Sequence, residues 1–175
     1  MKLRLSIIIT SFITTLALLF VLWYGYMTWF EEKPLTEKLA AINGVQAVAV
    51  ELSRDQVSIE LELDEEAQLK AVHEAVLEAV QPLAKRRKVD IHFQDTPSRE
   101  MEEMWHQLKF HVAEVLSHHQ YRQLLDIAET MKEQLQLEKA IADMNAEFVY
   151  FQFQKGEHRL YQIFPRKQGE EGARG

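Results

Sequence analysis

His111, Glu114 and His118 stand at i, i+3 and i+7. On a helix that spacing sets two imidazoles and a carboxylate along one face, a set that would hold zinc if His119 or Glu102 joined it. It departs from the zinc-hydrolase pattern, in which two histidines lie four apart and a glutamate follows the first. The competing expectation is a solvated helix face, on which Glu and His recur without a ligand. Glu60, Glu62, Asp90 and His92 form a second titratable group on alternating positions of two strands. Paired carboxylates do acid–base work only where a cleft raises one of their pKa values, and alternation places these on an open sheet face. The chain has no cysteine, so a thiolate metal site, a disulfide framework and a cysteine nucleophile are excluded. There is no Gly-rich phosphate loop and no Ser/His/Asp arrangement at a usable spacing. The residues point to a non-enzymatic protein with no cofactor.

The elements that must position these residues begin with an apolar run. Residues 7–30 hold no charged side chain and as a helix would reach roughly 36 Å, against about 30 Å of hydrocarbon. Trp23, Tyr24, Tyr26, Trp29 and Phe30 close the run as an aromatic belt of the kind that settles at headgroup level. No small-residue cleavage triplet follows, which predicts an uncleaved anchor rather than a removed signal. Ile7, Leu16, Phe20, Trp23, Tyr24 and Trp29 are the expected membrane contacts. Lys2 and Arg4 precede the run and Glu31 and Glu32 follow it, which places the N-terminus in the cytoplasm and the rest outside. Thr10, Ser11, Thr14 and Thr15 make a hydroxyl stripe that would either receive another membrane helix or bond back to its own carbonyls.

Beyond the anchor, Pro34 with Leu35, Leu39 and Ile42 reads as a short helix ended by Gly44. Val48, Val50 and Leu52 alternate as a strand, as do Val57, Ile59, Leu61 and Leu63 after a turn at residues 53–56. Asp64 is placed to cap a helix carrying Leu69, Val72, Val76, Val80 and Leu83, and Pro82 marks its fraying end. Val89, Ile91 and Phe93 make a third strand. Thr96-Pro97 opens the next helix, whose seam of Met101, Met104, Leu108, Val112 and Val115 continues after residues 117–119 as Tyr121, Leu124, Leu125, Ala128 and Met131. A weakly helical stretch then leads to a hairpin of residues 148–153 and 160–164. The expected class is α+β: an N-terminal transmembrane helix (1–32), a small αββαβ domain (33–95), one or two long helices with a C-terminal β-hairpin (96–166), and a disordered tail (167–175).

The segment LTEKLAAINGVQAVAVEL…QVSIELEL…AVHEAVLEAV…KVDIHF resembles the ring-building modules of bacterial secretion, flagellar and sporulation basal bodies. In those families a short helix ends in a Gly-Val step (here Gly44-Val45), and a β-hairpin, an amphipathic helix and a Val-x-Ile-x-Phe strand follow. The resemblance covers residues 35–94 and implies a module that sits outside a membrane anchor and assembles side by side. The metal-chaperone domains that share the pattern carry a cysteine pair this chain lacks. The layout as a whole is similar to that of membrane proteins of Gram-positive bacteria.

Acids outnumber bases by 27 to 20, which disfavours nucleic acid or an anionic lipid surface as partner. Lys85-Arg86-Arg87-Lys88 is the one dense basic cluster, suited to phosphate, lipid heads or a neighbour's acidic surface, and otherwise a solvated loop. Met101, Met104 and Trp105 offer either core or a soft groove for a partner helix. The terminal hairpin is apolar on both faces, and an isolated two-sided hairpin is unstable in water. One face is expected against the long helix, and Tyr150 and Tyr161 are expected to meet a partner. The partners implied are the membrane, through residues 7–30, and another envelope protein or a second copy. A regulatory, ligand-sensing module acting on a membrane partner is the alternative.

Overall fold

The computed structural model describes residues 5–27, 33–85 and 87–166, with side chains from 9–24 and from Leu35 onward. Lys2, Arg4, Trp29, Phe30, Glu31, Glu32, Arg86 and the tail 167–175 lie outside the described residues, as do the side chains of Ile7 and Tyr26.

The charge-free N-terminal run is helix α1 (Leu5–Met27). Helix α2 (Lys33–Ala40) follows, then strands β1 (Val45–Leu52) and β2 (Gln56–Leu63), helix α3 (Leu69–Ala84) and strand β3 (Lys88–Phe93). The hairpin β1-β2 is antiparallel and β3 runs parallel to β2 on its other side, so α3 is the crossover that returns the chain to the end from which β2 started. Val57, Ile59, Leu61 and Leu63 turn one face of this first sheet inward, where Leu35 and Leu39 of α2 and Leu69, Val72, Val76 and Val80 of α3 cover it. The opposite face shows Ala47, Ala49, Glu51, Glu60 and His92 to solvent. Gly44 joins α2 to β1 at φ +94°, and a Cβ there would lie 2.9 Å from that of Ala67. Both the left-handed backbone and the close approach require glycine.

Helices α4 (Arg99–Ser117) and α5 (Gln123–Leu135) come next, then strands β4 (Lys139–Met144), β5 (Phe148–Lys155) and β6 (His158–Pro165) in an antiparallel sheet of order β4-β5-β6. The long helical stretch is thus two helices, parted where His119 takes φ +55°. The cap of α4 is Ser98, whose Oγ accepts from the Met101 amide, and not Thr96. Thr96 instead exchanges backbone hydrogen bonds with Arg159 of β6. The weakly helical stretch is in fact β4, so the expected hairpin is the rear of a three-stranded sheet. Its alternation was hidden because Ala140 and Ala142 are weak strand formers.

β5 is buried on both sides. Val149, Phe151 and Phe153 join Met101, Trp105, Val112 and Val115 of α4 and Leu124, Ile127, Ala128 and Met131 of α5. The alternate positions, Tyr150 with Tyr161 of β6, join the core of the first sheet, with Phe148 and Ile163 packed against it. Tyr150 and Tyr161 are 1% and 8% exposed, which overturns the expectation that they meet an external partner. The first unit of the same chain supplies the missing cover. Met101 and Trp105 are likewise core, the Trp105 ring lying 5.3 Å from that of Phe151, while Met104 is half-buried at the margin of the same cluster. The groove reading of that stripe fails for the same reason: the second sheet already fills it.

Candidate functional site

The proposed metal triad is not brought together. His111 Nδ1 lies 3.6 Å from Glu114 Oε2 on the exposed side of α4. His118 sits past the last helical turn as its C-cap, with Nδ1 2.9 Å from the backbone oxygen of Glu114. Its Nδ1 is thus taken up by the end of its own helix, with the Ser117 hydroxyl also at 3.1 Å, rather than joining His111 and Glu114. Among the described residues no group of three His, Asp or Glu side chains converges as a metal ligand set would. Of the strand-face group, Asp90 and His92 pair at 3.3 Å, His92 exposed and Asp90 half-buried. In the basic cluster, Lys85 caps the end of α3 and Lys88 opens β3 with its amide on the Asp55 carbonyl.

The structure gathers a different polar set where the two sheet units meet. His73 of α3 is 5% exposed, wedged among the rings of Phe93, Phe148 and Tyr150. Its Nδ1 lies 3.0 Å from the Tyr150 hydroxyl, which also receives a hydrogen bond from Asn145 Nδ2 at 3.0 Å. Asn145 gives its other amide hydrogen to Glu74 Oε1 at 2.7 Å. With Asn145 donating, the Tyr150 hydroxyl gives its proton to His73 Nδ1 in the Nε2–H tautomer and accepts from it in the Nδ1–H tautomer. Burial lowers the His73 pKa to about 4 against the opposing pull of Glu74, and raises that of Tyr150 to about 12. The pair is neutral across the physiological range.

Next to it, Gln152 is buried and spans the same junction. Its Oε1 accepts from the amide of Leu69 at 3.0 Å and its Nε2 donates to the Ala67 carbonyl at 2.9 Å. The cap of α3 therefore comes from the second sheet, and Asp64, the expected cap, is displaced by a loop of residues 64–68. Lys139 also reaches the Ala67 carbonyl, Arg159 the Leu63 carbonyl, and Lys70 pairs with Asp143 at 3.0 Å. Nothing in the local sequence around Gln152 signals this role, because its partners lie some eighty residues away. With Gln152 bonded at both ends and Tyr150 bonded to His73 and Asn145, the group is a structural weld rather than a reactive centre.

Three exposed features remain. The first is α1, whose described large side chains, Leu16, Phe20, Trp23 and Tyr24 among them, are all exposed. Thr14 and Thr15 donate to the carbonyls of Thr10 and Ser11 at 2.9 Å, so these two hydroxyls are satisfied within the helix. Counting only described side chains, no helix is long and apolar enough to cross a membrane. For α1 those are residues 9–24, about 24 Å of helix, whereas the helical backbone runs Leu5–Met27. The second is an open cleft of about 600 Å³ at the end of the first sheet, lined by Asn43, Gly44, Asp64, Glu65, Glu66 and Val72. The third is a smaller apolar cleft, about 200 Å³, between the start of α5 and the end of β4. Like β4, it leaves no signal in the sequence.

No protein-family model matches this chain, and neither a curated protein nor a solved structure is significantly similar to it.

Proposed function

We propose that this chain is a single-pass membrane protein, N-terminus in the cytoplasm, whose extracytoplasmic domain is a non-enzymatic interaction or assembly module. The observation that carries the reading is α1. Its 23 residues hold no charge, and a helix of that length is about 35 Å long, enough for the hydrocarbon core. The large apolar side chains described on it, from Ile9 to Tyr24, are exposed all round the helix, in a chain that elsewhere buries even the two faces of β5. A helix apolar on every side needs an apolar medium around it. The domain offers titratable groups on an open face and in a satisfied weld, which favours binding over chemistry.

Alkaline carbonate extraction of membranes, with a reporter fused after Gly175, tests both parts. The chain should stay in the pellet, and a reporter that works only outside the cytoplasm should be active. Release into the supernatant would remove the anchor, and activity of a cytoplasm-only reporter would invert the topology. A ligand-sensing module is favoured by one feature, the 600 Å³ cleft beside Gly44. Its three carboxylates would select a cationic ligand, which a thermal-shift screen of polyamines and divalent cations would find.

A further inference from the structure

β4 is an open edge. The order β4-β5-β6 leaves one side of it without a neighbouring strand. In an antiparallel ladder, alternate residues spend both backbone groups on the partner. The amide of Asn145 donates to the Phe148 carbonyl at 2.9 Å, and the register runs on through Asp143↔Tyr150, Ile141↔Gln152 and Lys139↔Gln154. The odd positions therefore bond to β5, and Ala140 and Ala142 aim their N–H and C=O groups at the open side. Beside this edge Leu125 and Met144 are 59% and 43% exposed. They line the small apolar cleft together with Tyr121, Leu124 and Ala142.

We propose that a second copy of this chain docks on this edge, β4 against β4, antiparallel about a two-fold axis through Ile141. The proposal rests on the assembly reading above and names its partner. The strand is self-complementary in that register. Ala140 meets Ala142 of the second copy, and the reverse, so every outward backbone group of the two alanines finds a partner. Ile141 faces its own counterpart on the axis. Lys139 stands opposite Asp143 of the second copy, an opposite-charge pair on each side of the axis. Lys139 gives one hydrogen bond to the Ala67 carbonyl, leaving two N–H groups, and Asp143 holds Lys70 through Oδ1.

An axis through Ala142 would also match the backbone groups, but it sets Ile141 against the Asp143 carboxylate. It also needs the amide of Met144, which already donates to its own Asp143 at 2.7 Å. Two of the other edges suit doubling less. β6 is closed at Arg159 by Thr96. β1 has a bulge between Val45 and Ala47, and its exposed Glu51 and the neighbouring Glu60 would bring like charges together. A strand laid along β4 also roofs the cleft and covers Leu125 and Met144.

The chain lacks cysteine, so single cysteines report cleanly on the full chain in its membrane. Facing residues of a non-hydrogen-bonded pair have Cα atoms about 4.5 Å apart, within disulfide range. Ile141→Cys should give a disulfide-linked dimer under mild oxidation, while Glu51→Cys and Glu129→Cys stay monomeric. Ala142→Pro removes an outward N–H that the monomer's ladder does not use. It should weaken association at least tenfold in detergent sedimentation at an unchanged thermal midpoint. If its midpoint falls, Asp143→Lys is read instead, because it sets like charges across the pair, and adding Lys139→Asp should restore the dimer. Cross-linking at Glu51→Cys without Ile141→Cys would overturn the β4 edge while leaving assembly standing. A wild-type chain that is monomeric in membranes and detergent alike would overturn the edge and self-assembly together.

Discussion

The two sheets have three strands each and opposite surroundings. The first is covered on one face, and its central strand alternates cleanly, with Val57, Ile59, Leu61 and Leu63 fully buried and Glu60 exposed. The second is covered on both faces, and its central strand reads as a nearly unbroken apolar run from Phe148 to Phe153. The difference lies in what each strand meets. α4 and α5 take one side of β5, and the first unit takes the other through Tyr150, Tyr161 and the Gln152 cap. A two-sided apolar strand therefore signals a second internal neighbour as readily as an external partner.

The sharpest way to break this comparison is to remove a ring from the doubly covered strand. Phe151→Ala deletes a fully buried side chain stacked near Phe153 and Trp105. It should cost about 3–5 kcal/mol, read as a large fall in the denaturation midpoint. A loss under about 1 kcal/mol would mean that the second sheet is not the continuous core described.

A smaller effect sharpens the junction between the units. His73 has its pKa lowered to about 4 by burial, so the unfolded chain binds a proton near pH 6.5 that the folded chain refuses until about pH 4. Stability from this group is complete above pH 6.5 and is lost as pH falls toward 4, at most about 3 kcal/mol in all. His73→Gln keeps an acceptor for Tyr150 and removes the titration. Its stability–pH curve should be flatter than wild type across that window by up to one proton. Parallel curves would show that His73 titrates normally and that the junction opens to water.

Legibility followed the same division. The αββαβ order of residues 33–93 could be read because Val57, Ile59, Leu61 and Leu63 alternate against polar neighbours and because Leu69, Val72, Val76 and Val80 keep a single stripe. The split of the long helix was visible at residues 117–119 as a loss of periodicity. β4 was not legible, because Ala140 and Ala142 give little contrast with Lys139 and Asp143. The junction was illegible for another reason. His73, Asn145, Tyr150 and Gln152 are ordinary residues locally, and their roles depend on partners more than seventy residues away for His73 and Gln152. The metal triad failed on one local contact, the His118 ring nitrogen held at the Glu114 carbonyl and the Ser117 hydroxyl.

The smallest effect is expected on the bare face of the first sheet, and it is the control that gives the others their meaning. Glu60 is exposed and Glu62 half-exposed on that face, with Ala49 and Ala47 of β1 opposite them. Among the described residues neither carboxylate has a salt bridge to lose, and both leave the apolar side of β2 untouched. Glu60→Gln with Glu62→Gln removes two like charges from an already acidic surface and keeps the side-chain length. Folding stability should move by less than about 0.5 kcal/mol in either direction, the range for surface changes away from caps, cores and networks. Chemical denaturation with an unchanged slope would show that charge on this face is dispensable to the fold. A loss above about 1 kcal/mol would mean that the face is covered in solution, and the contrast between a sheet with one neighbour and a sheet with two would disappear.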